Sequence, residues 1–202
     1  MNNLAIVYAH EGKHAQAEAL DLQTLEIRKR VLGPEHPETL ASMNNLAYDY
    51  AKDGKFAEAE TLDTETWEIR KRVLGPEHPH TLQSMINLAS VYGHEGNEAQ
   101  EERLLTQTLE IQRRVLGPEH PLTANTLYNL GCVAALRGDK DRAIALLSQS
   151  VDHGLAPHIG LAMEKDDDLT SLHGDPRFAA LVAHAKQVAE AKQKAAATPT
   201  PK

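Results

Sequence analysis

The stretch VLGPEHP stands at 31–37, again at 73–79 and again at 115–121, with starts 42 residues apart. A fixed period of this size is the mark of a repeat architecture, each unit being one supersecondary motif. The seven letters say what the motif does. In the middle copy, Gly75 follows the last helix-forming residues, where helices commonly end in a left-handed residue. Pro76 cannot continue a helix. His78 precedes a proline and is pushed toward extended backbone. Pro79 suits the first turn of a new helix, where its missing N–H costs nothing. The heptad is therefore a stop, a corner and a start, turned three times.

Outward from the corner, the chain stacks in rows. They begin MNNLAIVYAHEGKHAQAEALDLQTLEIRKRVLGPEHP (1–37), MNNLAYDYAKDGKFAEAETLDTETWEIRKRVLGPEHP (43–79), MINLASVYGHEGNEAQEERLLTQTLEIQRRVLGPEHP (85–121) and LYNLGCVAALRGDKDRAIALLSQSVDHG (127–154). Glycines fall in step at 12, 54, 96 and 138. In the second row Leu40, Met43, Leu46, Ala47 and Tyr50 trace one face of a helix. Gly54 breaks it. A second helix carries Ala57, Ala59, Leu62, Ile69, Val73 and Leu74, with Arg70, Lys71 and Arg72 in its last turn, where cations suit the helix dipole. Aromatics make up only 4% of the chain, so the core must be built from Leu, Ala, Ile and Val. One helical pair cannot bury its apolar face alone, but stacked pairs bury it continuously. The expected fold is all-α, a solenoid of about four helical hairpins.

Net charge −8 and a pI near 5.7 argue against a nucleic-acid surface. No apolar run approaches the roughly 20 residues of a membrane helix, and Met1-Asn2-Asn3 does not open a signal peptide. Cys132 is the one cysteine. No internal disulfide is possible, which fits a reducing, cytoplasmic setting.

The tetratricopeptide pattern is large-x₂-Leu-Gly/Ala-x₂-Tyr, then Ala-x₃-large. Met43, Leu46, Ala47, Tyr50 and Ala59 fit it, as do Leu127, Leu130, Gly131, Ala143 and Leu147. The rows exceed the usual 34 residues by about eight, late in the second helix and its corner. With "NNLA", "GK-x-AEAE", "LEIRKRVLGPEHP" and the Thr-Leu that follows, the chain resembles the 42-residue tetratricopeptide repeats of kinesin light chains and their bacterial counterparts. The resemblance covers about 1–153 and implies a right-handed solenoid. Asp21 and Asp63 depart from it, standing where the family often has an aromatic or other apolar residue. Glu101 stands where rows one and two have Ala17 and Ala59.

The expected organisation is repeats over 1–153 (rows 1–36, 37–78, 79–120 and 121–153, the first truncated), C-terminal capping helices over 154–195, and a disordered tail over 196–202. The capping segment is read as a short helix near 157–165, a turn, and a helix from about Asp175 to Ala195. It resembles tails that follow such repeats in bacterial signalling proteins.

Several residues carry candidate chemistry. HEGKH at 10–14 matches a zinc-protease motif, but Gly12 interrupts the helix that the motif requires. His36, His78 and His120 stand in corners too far apart to share a metal whose bonds are about 2 Å long; each is expected to tie down its own corner by hydrogen bonds. Cys132 reads as a small packed residue. No nucleophile–base–orienter set is visible, so no enzyme, cofactor or metal is expected. Asn3, Asn45, Asn87 and Asn129 recur in all four rows, mid-helix, where Asn is a mediocre helix former. The resemblance implies that they line a concave groove and bond a bound peptide; the alternative is that they bridge adjacent repeats. Asn2, Asn44, Ile6, Tyr48, His10, Lys52, Ile86, Ser90 and His94 share that helix face, a polar and weakly basic wall that hints at a peptide of some acidic character or is simply solvated. The expected function is a protein–protein interaction scaffold holding a protein or peptide in its groove. The alternatives are the regulatory C-terminal part of a larger signalling enzyme, such as a kinase or nucleotide-dependent switch, or a module self-associating through its uncapped N-terminal end.

Overall fold

The computed structural model describes residues 7, 8 and 13–197, among which all regular structure is helical. Asn2, Asn3, Ile6, His10, Gly12 and residues 198–202 lie outside the described residues. The helices are α1 (His14–Leu32), α2 (Pro37–Lys52), α3 (Phe56–Leu74), α4 (Pro79–His94), α5 (Glu98–Val115), α6 (Pro121–Leu136), α7 (Lys140–Asp152), α8 (Pro157–Ala162) and α9 (Pro176–Ala197), with 3₁₀ turns over Met163–Lys165 and Asp167–Leu172. Trailing helices α1 and α3 have 19 residues against 16 in leading helices α2 and α4. The extra length therefore sits in the second helix, as the row spacing requires. The chain divides into two compact units, 1–104 and 105–202.

Each corner is built by the same two hydrogen bonds around a glycine of positive φ. Gly33, Gly75 and Gly117 have φ of 96°, 96° and 89°, a region that L side chains enter only with strain. Thr39, Thr81 and Thr123, wholly buried, donate their hydroxyls to the carbonyls of those glycines at 2.8, 2.8 and 2.9 Å. His36, His78 and His120 are extended N-cap residues whose Nδ1 accepts the N–H of Glu38, His80 and Leu122. The imidazole thus does the work usually given to Ser or Asp at a helix start. The corner histidines bind backbone, as the sequence suggested.

In the first unit, α2 packs against α1, α3 and α4, and α3 packs on α4. Leu25, Leu40, Met43 and Leu46 form a core, flanked by Tyr50, Leu62 and Ile69. Two arginines tie a trailing helix to the next leading one. Arg28 donates to Ser42 Oγ (2.7 Å) and the Glu38 carbonyl, and Arg70 to Ser84 Oγ (2.8 Å) and the His80 carbonyl.

A substitution in the third row is matched across the helix pair. Rows two and four have Ala51 and Ala135 where this row has Gly93. A Cβ on Gly93 would lie 2.6–2.7 Å from the Glu101 carboxylate, so Glu101, replacing alanine, occupies the space that Gly93 leaves. Gly93→Ala alone should gain little, since displacing Glu101 offsets the better helix propensity of alanine. Gly93→Ala/Glu101→Ala should recover about 1 kcal/mol of that propensity. A double-mutant cycle by urea unfolding should give a coupling of about 0.5–1 kcal/mol; additive single effects would refute the pairing.

In the second unit, α6 and α7 pack closely. Gly131 allows it, because a Cβ there would meet Leu147 Cγ at 2.7 Å. The segment after Gly154 joins the same core. Leu155, Met163, Leu169, Leu172, Phe178, Leu181 and Val182 cluster with Tyr128, Leu147 and Val151. The expected helix near 157–165 ends earlier, at Ala162, and continues as 3₁₀ turns; the last helix starts at Pro176. Asp175 explains that start, since its Oδ1 accepts the N–H of Arg177 at 2.9 Å. Gln112 takes the place in row three that Arg70 has in row two. It is fully buried, and its amide atoms meet no partner among the described residues.

Candidate functional site: a cleft between two leading helices

Helices α2 and α4 are the leading helices of consecutive rows and touch in the first unit. Between them is a cleft of about 110 Å³, lined by Ala47, Tyr48, Ala51 and Lys52 of α2, by Asn87, Ser90, Val91 and His94 of α4, and by Asp63 of α3. The helical spacing explains the convergence: 48 and 52, like 87, 90 and 94, are separated by three or four residues and share a face. Five expected groove residues, Tyr48, Lys52, Asn87, Ser90 and His94, therefore surround one cleft.

The rim side chains rest on neighbours. Lys52 Nζ lies 5.4 Å from the Tyr48 ring centroid, and Tyr48 itself is 61% exposed. His94 stacks on Phe56 with centroids 6.2 Å apart. Asn87 accepts a hydrogen bond from Gln83, one turn earlier in the same helix, at 2.9 Å. That bond uses its carbonyl and leaves amide donors for another partner.

The remaining expected residues are placed otherwise. Asn45 is half-buried one repeat earlier, outside this cleft. Asn44 is half-buried, with Oδ1 unpaired. Ile86 is only 3% exposed. That is a correction to its place on the exposed wall: an apolar side chain at that register turns into the core. Asn129 lies on α6 in the second unit, half-buried.

Sequence reasoning did not give Asp63 a place in the site. It is 2% exposed, and its Oδ1 has no hydrogen-bond partner. Burial pushes its carboxyl up to about 7, against the opposing pull of Arg70. The signal in the sequence is an aspartate standing where an apolar residue is expected. Asp21, one row earlier, is also buried, at 6%. It is hydrogen-bonded to Asp49, and burial together with Asp21 raises Asp49 to about 7. Burial and the neighbouring carboxyl both disfavour the charged form of Asp49.

In the second unit, Cys132, Asp166 and Asp168 bring their ligand atoms within 4.8 Å of one another. Asp166 is already committed: Oδ2 accepts the Tyr128 hydroxyl at 2.6 Å and Oδ1 accepts the Asp168 N–H. Cys132 is buried at 7%, within the core.

Helical hairpins of constant period, joined by one repeated corner, define a repeat protein of the α-solenoid class. The tetratricopeptide repeat model matches residues 1–66, 43–113 and 102–153, so the chain belongs to the tetratricopeptide repeat family. Among solved structures it is similar to a Podosopora anserina protein described as a kinesin light chain with nearly identical TPR-like repeats. That likeness has 28% identity and a TM-score of 0.64, over 96% of this chain and 88% of that one. BtubC (BKLC) from P. vanneervenii has the same fold at 20% identity and a TM-score of 0.68, over 98% and 81%. No curated protein matches as a relative. No helix among the described residues is long and apolar enough to cross a membrane.

Proposed function

We propose that the chain is a protein–protein interaction scaffold, without catalysis of its own, that holds an extended peptide segment along the exposed face of its leading helices. The observation that carries this reading is the cleft between α2 and α4, where Tyr48, Lys52, Asn87, Ser90 and His94 converge. An extended peptide presents a donor and an acceptor at every residue. The free amide donors of Asn87 suit its carbonyls, and Tyr48 offers exposed aromatic area. Family membership supports a protein as the partner.

The test is selection of a random-peptide library on the immobilised chain, followed by binding of the selected peptides to an Asn87→Ala variant. Loss of a hydrogen bond to the peptide backbone should cost about 1 kcal/mol, roughly fivefold in Kd. Binding that is equal in wild type and in a Tyr48→Ala/Asn87→Ala double variant would place the peptide elsewhere and refute the reading.

A further inference from the structure

The floor of the cleft differs from its rim. The rim carries Lys52 and His94, while the floor carries Asp63, which keeps 2% of its surface and has an unpaired carboxylate oxygen. Burying a carboxylate without a full set of partners is costly. The one charged group that lowers its pKa is Arg70 on its own helix, and Arg70 already donates to Ser84 and the His80 carbonyl. Neither rim side chain is hydrogen-bonded to Asp63: Lys52 sits over the Tyr48 ring and His94 stacks on Phe56. The site is an acceptor waiting for a donor.

Size narrows the donor. A cavity of about 150 Å³ takes benzene, and a water occupies about 30 Å³ in the liquid. The cleft, at about 110 Å³, holds a narrower group, a short alkyl chain with a polar head. Its walls, Ala47, Ala51 and Val91, suit methylenes. We propose that the cleft is a subsite for a single lysine side chain of the bound peptide, its methylenes against Ala47, Ala51 and Val91 and its ammonium donating to Asp63. This rests on the groove reading and adds a chemical class to it. The flanking peptide residues would then be acidic, since Lys52 and His94 border the mouth.

Binding a cation favours the ionised carboxyl, so complex formation releases the proton that Asp63 carries when neutral. Affinity therefore rises with pH across the range where the free cleft titrates. With the carboxyl near 7, the ionised fraction grows roughly tenfold from pH 6 to pH 8. The other polar groups that line the cleft beside Asp63 include Lys52 on α2 and His94 on α4, while Arg70 acts on Asp63 from its own helix.

The experiment selects the random-peptide library on wild type and tests its peptides on Asp63→Leu, Asp63→Asn and Asn87→Ala. The expected result is a consensus with one lysine, whose replacement by norleucine weakens binding at least tenfold. Asp63→Leu, confirmed folded by its helical signal, should bind at least tenfold more weakly, with the pH dependence gone. Asp63→Asn should fall between. Peptides without lysine, or lysine peptides that bind Asp63→Leu as well as wild type, overturn the inference; if Asn87→Ala still weakens them, the groove reading survives. If the wild-type chain selects no peptide, both fall.

Discussion

Asp63→Leu raises the stability of the first unit at neutral pH and removes much of its pH dependence between 4 and 7. The buried carboxyl is raised from an unfolded value near 3.8 to about 7. At about 1.36 kcal/mol per unit, the cost of ionising it where it stands reaches an upper bound of about 4 kcal/mol. Water penetration and relaxation reduce the realised figure to about 2 kcal/mol. The sign follows from linkage. A carboxyl whose folded pKa is raised contributes stability below pH 3.8, and that contribution is lost as pH rises toward 7. Wild type should therefore weaken from pH 4 to pH 7, and the variant should weaken less. The remaining slope belongs to the Asp21–Asp49 pair, both raised. Leucine fits the position by precedent, since rows three and four carry Leu105 and Leu147 there. Asp63→Asn should flatten the slope with less gain, because it buries an amide. Urea midpoints at pH 4.5 and 7.5 check this. A variant weaker than wild type at pH 7.5 would mean that the carboxyl has a stabilising partner.

Phe178→Ala should cost the second unit about 3–5 kcal/mol, the range for removing a buried aromatic side chain. Phe178 is 3% exposed and belongs to the same core as Leu147 and Val151 of α7. Its ring stacks on His173 at 5.9 Å. A loss of this size in a domain whose whole stability is about 5–15 kcal/mol should open the segment beyond Gly154 to protease before the rest. Val31→Ala, at a side chain 67% exposed, is the control and should change stability by under about 0.5 kcal/mol. A Phe178→Ala loss below 1 kcal/mol would show that the C-terminal helices do not share the core of α6 and α7.

The placement of the candidate site was partly legible. Tyr48, Lys52, Asn87, Ser90 and His94 line one cleft, and their grouping was legible because a helix face is a periodic property of its own sequence. Ile86 was misplaced because the same period cannot say how far a side chain at the edge of that face turns inward. Asp63 was noticed as a violation of the pattern, yet its meaning depended on what α2 and α4 bring over it.

The sequence alone determined the corners, the helix pairs and the repeat. These rest on bonds within about ten residues: Gly75 in a left-handed conformation, Thr81 closing on its carbonyl, His78 capping the next helix and Pro79 in its first turn. Such chemistry is local and repeats whenever the letters repeat. Tertiary structure alone decided the exchange of space between Gly93 and Glu101, the pairing of Asp21 with Asp49, and the acidic floor beneath Lys52 and His94. Each depends on which side chains of separate helices meet, and helix packing fixes that only after the chain has folded.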